Sequence, residues 1–91
     1  MFSYDLTDKL KKRVRKLAQK NKVLALIFKR KIKEVVGHSV DTIDTYKNLN
    51  SPMNEYKRIH LTCSHVLLFN VDKKKRHIIF VDIIHWDKAY K

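Results

Sequence analysis

The hydrophobic residues of this 91-residue chain change their spacing near its middle. In the first 36 residues they recur every three or four positions, which is the period of an amphipathic helix. From residue 55 onward they form short runs of the kind found in strands. A single glycine and a single proline disfavour a turn-rich sandwich or barrel. We therefore expect long helices and a compact sheet.

The first predicted helix has one narrow apolar stripe. The stripe consists of Leu6, Leu10, Val14 and Leu17. The residues between them are basic or polar, so the outer face of the helix is strongly cationic. Thr7 can cap this helix, which would begin near Asp8, and residues 1–5 are predicted to form an edge strand.

A second helix is predicted from about Lys22 to Gly37. Its apolar side consists of Leu24, Ile27, Phe28, Ile32 and Val35. Gly37 is expected to end the helix because glycine best tolerates a left-handed C-terminal cap. Since the connection over residues 19–22 is short, the two helices are expected to form an antiparallel hairpin that covers the sheet.

Three strands are predicted after a polar, turn-prone segment over residues 39–52. They cover residues 55–61, 65–71 and 77–84, and the short turns between them predict consecutive antiparallel hairpins. In the first strand Arg58 and His60 alternate with apolar residues, so they are expected to point away from the helices. The predicted fold is α+β: one domain over residues 1–91, with a helical hairpin on one face of a small, mostly antiparallel sheet whose other face is partly open.

Positive charge dominates the composition. The chain holds 21 Lys and Arg against 9 Asp and Glu, a net charge of +12. The first 36 residues hold 12 basic and 3 acidic residues, a net charge of +9, so the helices carry most of the excess. Such an excess favours a polyanionic partner, with nucleic acid first and a membrane surface or an acidic protein behind it.

The sequence favours the cytoplasm. No apolar run reaches the roughly 18 residues that a membrane span requires, and the first ten residues lack the apolar stretch of a signal peptide. The single cysteine, Cys63, cannot form an internal disulfide, which agrees with a reducing compartment. We therefore expect a cytoplasmic protein without membrane contact.

The histidines suggest phosphodiester chemistry. His60 and His85 lie on or at the end of predicted strands beside cationic residues. An imidazole near neutral pH can take a proton from a ribose 2′-hydroxyl or give one to a leaving oxygen, and nearby cations can stabilise the charge on phosphorus. This reaction requires neither a metal nor another cofactor. His65 and His77 are expected to be structural.

Other chemistry is less well supported. His60, Cys63 and His65 surround one turn, but a structural zinc site needs four ligands and the chain has no second cysteine. We therefore predict no metal site, and Cys63 lacks the local signature of a nucleophile. Trp86 is expected to pack, whereas Tyr90 has two open interpretations, a plug over the sheet or a platform for an unstacked base.

The second half of the chain resembles a known superfamily. After a helical hairpin, the segment YKNLNSPMNEYKRIHLTCSHVLLFNVDKKKRHIIFVDIIHWDKAY resembles the RelE/ParE toxins of bacteria and archaea. Their pattern is a Tyr-Lys-x-Leu approach, a Tyr-Arg strand, an apolar strand, and a last strand that closes on His or Arg before a late aromatic. Within the superfamily the segment is most similar to RelE-type mRNA interferases of the YafQ-like branch.

The resemblance implies a set of site residues. His60 in YKRIHL and His85 in IIHWDKAY match the catalytic histidines of that branch, and Tyr90 matches the aromatic that meets the substrate. The predicted phosphate-binding cations are Lys47, Lys57 and Arg58, joined on charge alone by Arg76 in the DKKKR turn and by Lys88 beside Tyr90. Three positions depart from the pattern, because Val66 and Val81 replace arginines and Ser64 replaces an acid.

The resemblance also implies a function and partners. The chain is expected to be the toxin of a type II toxin–antitoxin system, an endoribonuclease that cleaves mRNA at the ribosome by metal-independent attack of the 2′-hydroxyl. An acidic, RelB-like antitoxin would neutralise it. The alternatives are a ParE-like gyrase poison without enzymatic activity and a basic RNA-binding module.

Overall fold

Two helices precede most of a four-stranded mixed sheet, which confirms the predicted α+β class. The computed structural model describes residues 1–49 and 55–85. The elements are β1 (Ser3–Leu6), α1 (Asp8–Lys20), α2 (Lys22–Val36), a 3-10 turn (Ile43–Thr45), β2 (Lys57–His60), β3 (His65–Asp72) and β4 (His77–His85). Within these ranges neither helix combines the length and the apolar character that crossing a membrane requires.

Side-chain caps define the helix starts. The Thr7 hydroxyl oxygen accepts a hydrogen bond from the Leu10 amide at 3.2 Å, which confirms the predicted cap of α1. Asn21 is the whole connection between α1 and α2, shorter than the predicted one. Its amide donates to Leu17 O at 2.7 Å, and its side chain accepts from the Leu24 amide at 3.1 Å. One residue therefore ends the first helix and begins the second.

The end of α2 differs from the prediction in its backbone. Gly37 follows the helix as expected, but its φ of −75° and ψ of −11° are right-handed, so the expected left-handed cap is wrong. A Cβ at this position would lie 3.2 Å from Lys33 O. The tight approach of the backbone, and not a positive φ, is what favours glycine here.

The sheet has the strand order β1-β4-β3-β2. The β2–β3 and β3–β4 pairs are antiparallel, as predicted. The predicted N-terminal strand also exists, and it pairs in parallel with β4, with Ser3 opposite His77 and Leu6 opposite Phe80. Thus β4 lies inside the sheet between the first and third strands, and α1 continues directly from β1.

Apolar residues cover both faces of the sheet. On the helix-side face, Leu67, Phe69 and Phe80 pack with residues of both helices and are fully buried. On the opposite face Val66 and Leu68 pack with Leu49, Tyr56 and Ile84. The segment over 39–49 is therefore not merely polar and turn-prone, because Ile43 and Leu49 are buried in these two clusters.

A β-bulge changes the alternation along β4. Phe69 pairs with Phe80 and Leu68 pairs with Asp82, so Val81 is the extra residue. Ile78 and Phe80 belong to the helix-side cluster, and after the bulge it is Ile83 that belongs to it. The Thr7 hydroxyl donates to Val81 O at 2.7 Å, which satisfies the displaced carbonyl. The bulge thus decides on which face each residue from Asp82 to His85 lies.

Candidate functional site

A cleft lies between α1 and the ends of β3 and β4. Its volume is about 740 Å³, and it is lined by three cations, two histidines and one carboxylate. These polar residues are Lys9, Arg13, Lys16, His65, Asp82 and His85. The cations recur on one face of α1 at helical spacing, whereas the histidines come from the sheet. We call this volume the histidine cleft.

Asp82 holds the wall of the histidine cleft together. Its carboxylate lies 3.1 Å from Arg13 Nε and 3.3 Å from Lys9 Nζ, and it accepts a hydrogen bond from the Ile83 amide at 2.9 Å. Arg13 also donates to Ile83 O at 3.3 Å. The pairing of β1 with β4 ends at Phe80. Beyond that point, α1 contacts the edge of β4 through Asp82 and Ile83. Sequence reasoning missed Asp82, although an acid inside an apolar strand is a signal that partners must exist.

The structure brings His65 and His85 together. They are partners in the β3–β4 register, and their ring centroids lie 5.9 Å apart with an interplanar angle of 63°. His65 Nδ1 lies 3.2 Å from both Thr62 Oγ1 and Ser64 Oγ. Sequence reasoning placed His65 among the structural residues, so the structure adds a candidate to this site.

His60 lies elsewhere. It pairs with Val66, which pairs with Ile84, so alternation places His60 on the face opposite the helices, as predicted. His85 follows Ile84 and lies on the helix side. The structure therefore does not bring His60 and His85 together, although both are exposed.

The predicted phosphate-binding residues are dispersed. Arg58 donates to Asn48 O at 3.0 Å, and its amide bonds to Lys47 O at 3.1 Å, so Lys47 and Arg58 share the β2 edge with His60. Arg76 lies before β4, at the end of the strand far from His85, where its carbonyl accepts from the Ser3 amide at 3.0 Å. Lys88, Tyr90 and Trp86 lie outside the described residues.

Lys57 has structural contacts. Its side chain is 12% exposed, and its ammonium group contacts Asp44 Oδ1 at 3.2 Å, Tyr46 O at 3.0 Å and Asn48 Oδ1 at 2.9 Å. A lysine ammonium group has three donors, so these contacts engage all of them. Its role as a phosphate ligand stays a prediction and would require one of these bonds to break.

Asp44 joins the loop before β2 to two lysines. Hydrogen bonds from Lys73 and then from Lys57 hold the pKa of its carboxyl below the ordinary value of 3.8. Because the pKa of Asp44 is lower in the folded protein than in the unfolded chain, the ion pairs stabilise the fold fully at pH values above the pKa of the unfolded chain. This stability is lost as the pH falls through the pKa of the folded protein. The affected range therefore begins near pH 4 and extends downward.

We expect Asp44→Asn to lower the melting temperature modestly at neutral pH, since the carboxylate is exposed and screened. The difference from the original protein should shrink and vanish as the pH falls below about 4. Thermal unfolding between pH 2 and pH 7 measures it. Asp41→Asn is the matched control, because Asp41 is an exposed acid of the same loop and makes no ion pair within the described residues. A pH-independent difference would show that the carboxylate's charge is not what stabilises the loop.

The side-chain types that bind metal ions are spread apart in the described part of the chain. Within residues 1–49 and 55–85, no three His, Cys, Asp or Glu side chains are grouped closely enough to hold an ion. The polar groups of the histidine cleft are suited instead to an anion, because cations outnumber the one carboxylate. Paired imidazoles beside this positive charge can exchange protons with a bound phosphodiester.

The fold matches solved structures of toxins. YafQ of Escherichia coli strain BL21(DE3) superposes with a TM-score of 0.72 at 15% identity, over 100% of both chains. A chain of the intact E. coli RelBE toxin–antitoxin complex superposes with a TM-score of 0.70 at 21% identity, over 91% of this chain and 94% of that one. The fold is thus the RelE-like α+β toxin fold. At such identities only the fold is shown, so the YafQ-like branch stays a prediction.

A relative in sequence shows the family. The candidate toxin RelE4 of Methanocaldococcus jannaschii is 34% identical over 91 residues, which are 100% of this chain and 93% of that protein. No family model matches the chain. The extent of this likeness and the shared fold establish that the chain belongs to the RelE family of toxins.

Proposed function

We propose that this toxin is an endoribonuclease that cuts messenger RNA at the ribosome. The observation that supports it most is the position of His85, which lines a cleft whose other wall presents Lys9, Arg13 and Lys16. An imidazole held at the end of a strand is positioned by the sheet ladder and is still open to solvent. The cations beside it would bind the phosphate next to the cut.

The chemistry needs no metal. One general base takes the proton of a ribose 2′-hydroxyl, the 2′-oxygen attacks phosphorus, and the bond to the 5′-oxygen breaks as a general acid protonates that oxygen. We assign one of these proton transfers to His85. Tyr90 would align the base at the cut, and His60, Lys47 and Arg58 would contact the message along the β2 edge.

Salt should weaken RNA binding strongly. Each phosphate contact on a single strand contributes about 0.7 to the slope of log affinity against log salt concentration. We expect Lys16→Gln, which removes one cation of the histidine cleft, to reduce the slope by about that amount. Titration of a fluorescent RNA at several salt concentrations measures it.

Lys11→Gln is the matched control for this experiment. Lys11 lies on the same helix and is exposed, but it does not line the cleft. The two variants have equal net charge, so a general loss of positive field would affect both alike. Equal slopes for the two variants would show that the cleft is not where the phosphates bind.

An acidic antitoxin is the proposed partner. Val23 and Leu26 are 65% and 60% exposed and lie one turn apart on α2, among lysines. An apolar strip inside a cationic surface matches an amphipathic helix with acidic flanks. The E. coli RelBE structure is likewise of a toxin with an antitoxin.

The decisive experiment adds purified protein to translating ribosomes and maps the ends of the messages. New ends within translated codons support the proposal. Growth arrest on expression, relieved when an acidic RelB-like protein is co-expressed, supports the antitoxin. Intact messages together with gyrase stalled on DNA would instead favour a ParE-like poison.

A further inference from the structure

We propose that His65 is the second proton-transfer residue of the site and works with His85 inside the histidine cleft. This inference rests on the proposed ribonuclease function and names a catalytic residue that neither the sequence pattern nor the resemblance supplies. It replaces His60 in that role, because His60 lies on the other face of the sheet.

The first support is distance. The imidazole rings of His65 and His85 have centroids 5.9 Å apart. A catalytic nitrogen must come within about 2.6–3.2 Å of the oxygen with which it exchanges a proton. Rings at this spacing can therefore flank one phosphorus, with one ring beside the 2′-oxygen and the other beside the 5′-oxygen. By contrast, His60 is two strands from β4, roughly 9–10 Å across the ladder.

The second support is the way in which His65 is held. Its carbonyl accepts a hydrogen bond from the Leu61 amide at 2.9 Å, which fixes the backbone at the start of β3. The hydroxyls of Thr62 and Ser64 both lie 3.2 Å from Nδ1. Within the described residues these hydroxyls are the hydrogen-bond partners of the ring, so Nε2 is the nitrogen left for a substrate. An imidazole oriented through one nitrogen and active through the other is the usual arrangement of a catalytic histidine.

The third support is charge. Asp82 engages Arg13 through Nε, and Ile83 O engages one further donor of that guanidinium group. A guanidinium group carries five donors, so Arg13 can bind a phosphate oxygen while it stays anchored. Lys16 lines the same wall, and within the described part of the chain Asp82 is the one acidic residue that lines the cleft. Positive charge therefore stands beside the two imidazoles, where negative charge on phosphorus would increase during the reaction.

The reaction is balanced with these two residues. The neutral imidazole accepts the 2′-hydroxyl proton as the bond from the 2′-oxygen to phosphorus forms. The protonated imidazole gives its proton to the 5′-oxygen as the bond from phosphorus to that oxygen breaks. The products are a 2′,3′-cyclic phosphate and a 5′-hydroxyl end, and each imidazole ends in the state in which the other began.

The test measures single-turnover cleavage of ribosome-bound message across a range of pH. We expect His65→Gln to lower the rate by about 10²-fold or more, and to remove one limb of the bell-shaped pH profile. A message with sulfur in place of the 5′-oxygen at the cut needs no general acid. This message should restore the cleavage rate of only one of the two variants His65→Gln and His85→Gln. The restored variant is the one that lacks the general acid.

The matched control is His77→Gln. His77 begins β4 at the end far from the cleft, where its nitrogens contact Ser3 Oγ at 2.7 Å and Asp5 Oδ2 at 3.1 Å. Its loss should leave the rate within twofold and both limbs in place. If His65→Gln proves unstable, His65→Gly with added free imidazole replaces it, and a rate restored by imidazole supports the proposal.

The outcomes separate the two proposals. A wild-type protein that leaves translated messages intact overturns the ribonuclease function. Active wild-type protein with an unchanged rate and a complete pH profile in His65→Gln overturns only the histidine pair. Loss of one limb in His60→Gln but not in His65→Gln would likewise return the second role to His60.

Discussion

His85→Ala is expected to lower the rate of message cleavage by at least about 10²-fold, the lower end of general acid–base catalysis. The side chain is exposed at the end of β4 and lines the histidine cleft, so its removal should disturb little packing. Affinities for RNA and for the antitoxin should stay nearly unchanged, because the cations of α1 are retained. Single-turnover cleavage and equilibrium binding, measured on the same preparations, give both quantities.

His77→Ala serves as the control, because it removes the same ring from the other end of the same strand. A structural role for His85 would give a different pattern. Melting temperature and affinity would then fall together, whereas message already bound would be cut at the original rate. That pattern would exclude His85 from catalysis.

Phe80→Ala should lower the stability of the fold strongly. Phe80 is fully buried, and its ring packs against Phe69 at 5.7 Å and Tyr4 at 5.9 Å between centroids. Truncation of a buried phenylalanine costs about 3–5 kcal/mol. Since domains are stable by only about 5–15 kcal/mol, much of the total would be lost.

Urea unfolding followed by circular dichroism measures this loss as a lower midpoint at an unchanged slope. Ile79→Ala is the matched control, because Ile79 is the next residue of β4 and is 41% exposed. We expect it to change the free energy of unfolding by about 1 kcal/mol or less. Similar losses at both positions would mean that the two faces of β4 do not differ in packing as the structure shows.

Local signals in the sequence predicted much of the fold. Thr7 caps α1, and alternation in β2 places Ile59 inside and His60 outside, because both depend only on near neighbours. The parallel partner of β1 was not predicted, since nothing in residues 1–5 identifies a strand more than 70 positions away. The burial of Ile43 was also not predicted, because it depends on packing against residues that are distant in the sequence.

The candidate site was predicted only in part, and the bulge at Val81 explains why. Without it, strict alternation would place His85 on the face opposite that of Phe80, which is the face of His60. The extra residue moves His85 to the helix side and beside His65. A bulge depends on the pairing of two strands, so the run HIIFVDIIH does not reveal it.

The parallel pairing of β1 with β4 has a consequence for the speed of folding. Ser3 and His77 lie 74 positions apart, so β1 can pair with β4 only after most of the chain has closed into a loop. The entropy lost in closing so large a loop must be met before its contacts form, and contacts of this kind slow folding. The two helices can form early from local contacts, whereas β1 must remain unpaired until β4 is in place. The part of α1 that carries Lys9 and Arg13 follows β1 closely, so the cationic wall of the histidine cleft should be among the last parts of the molecule to assemble.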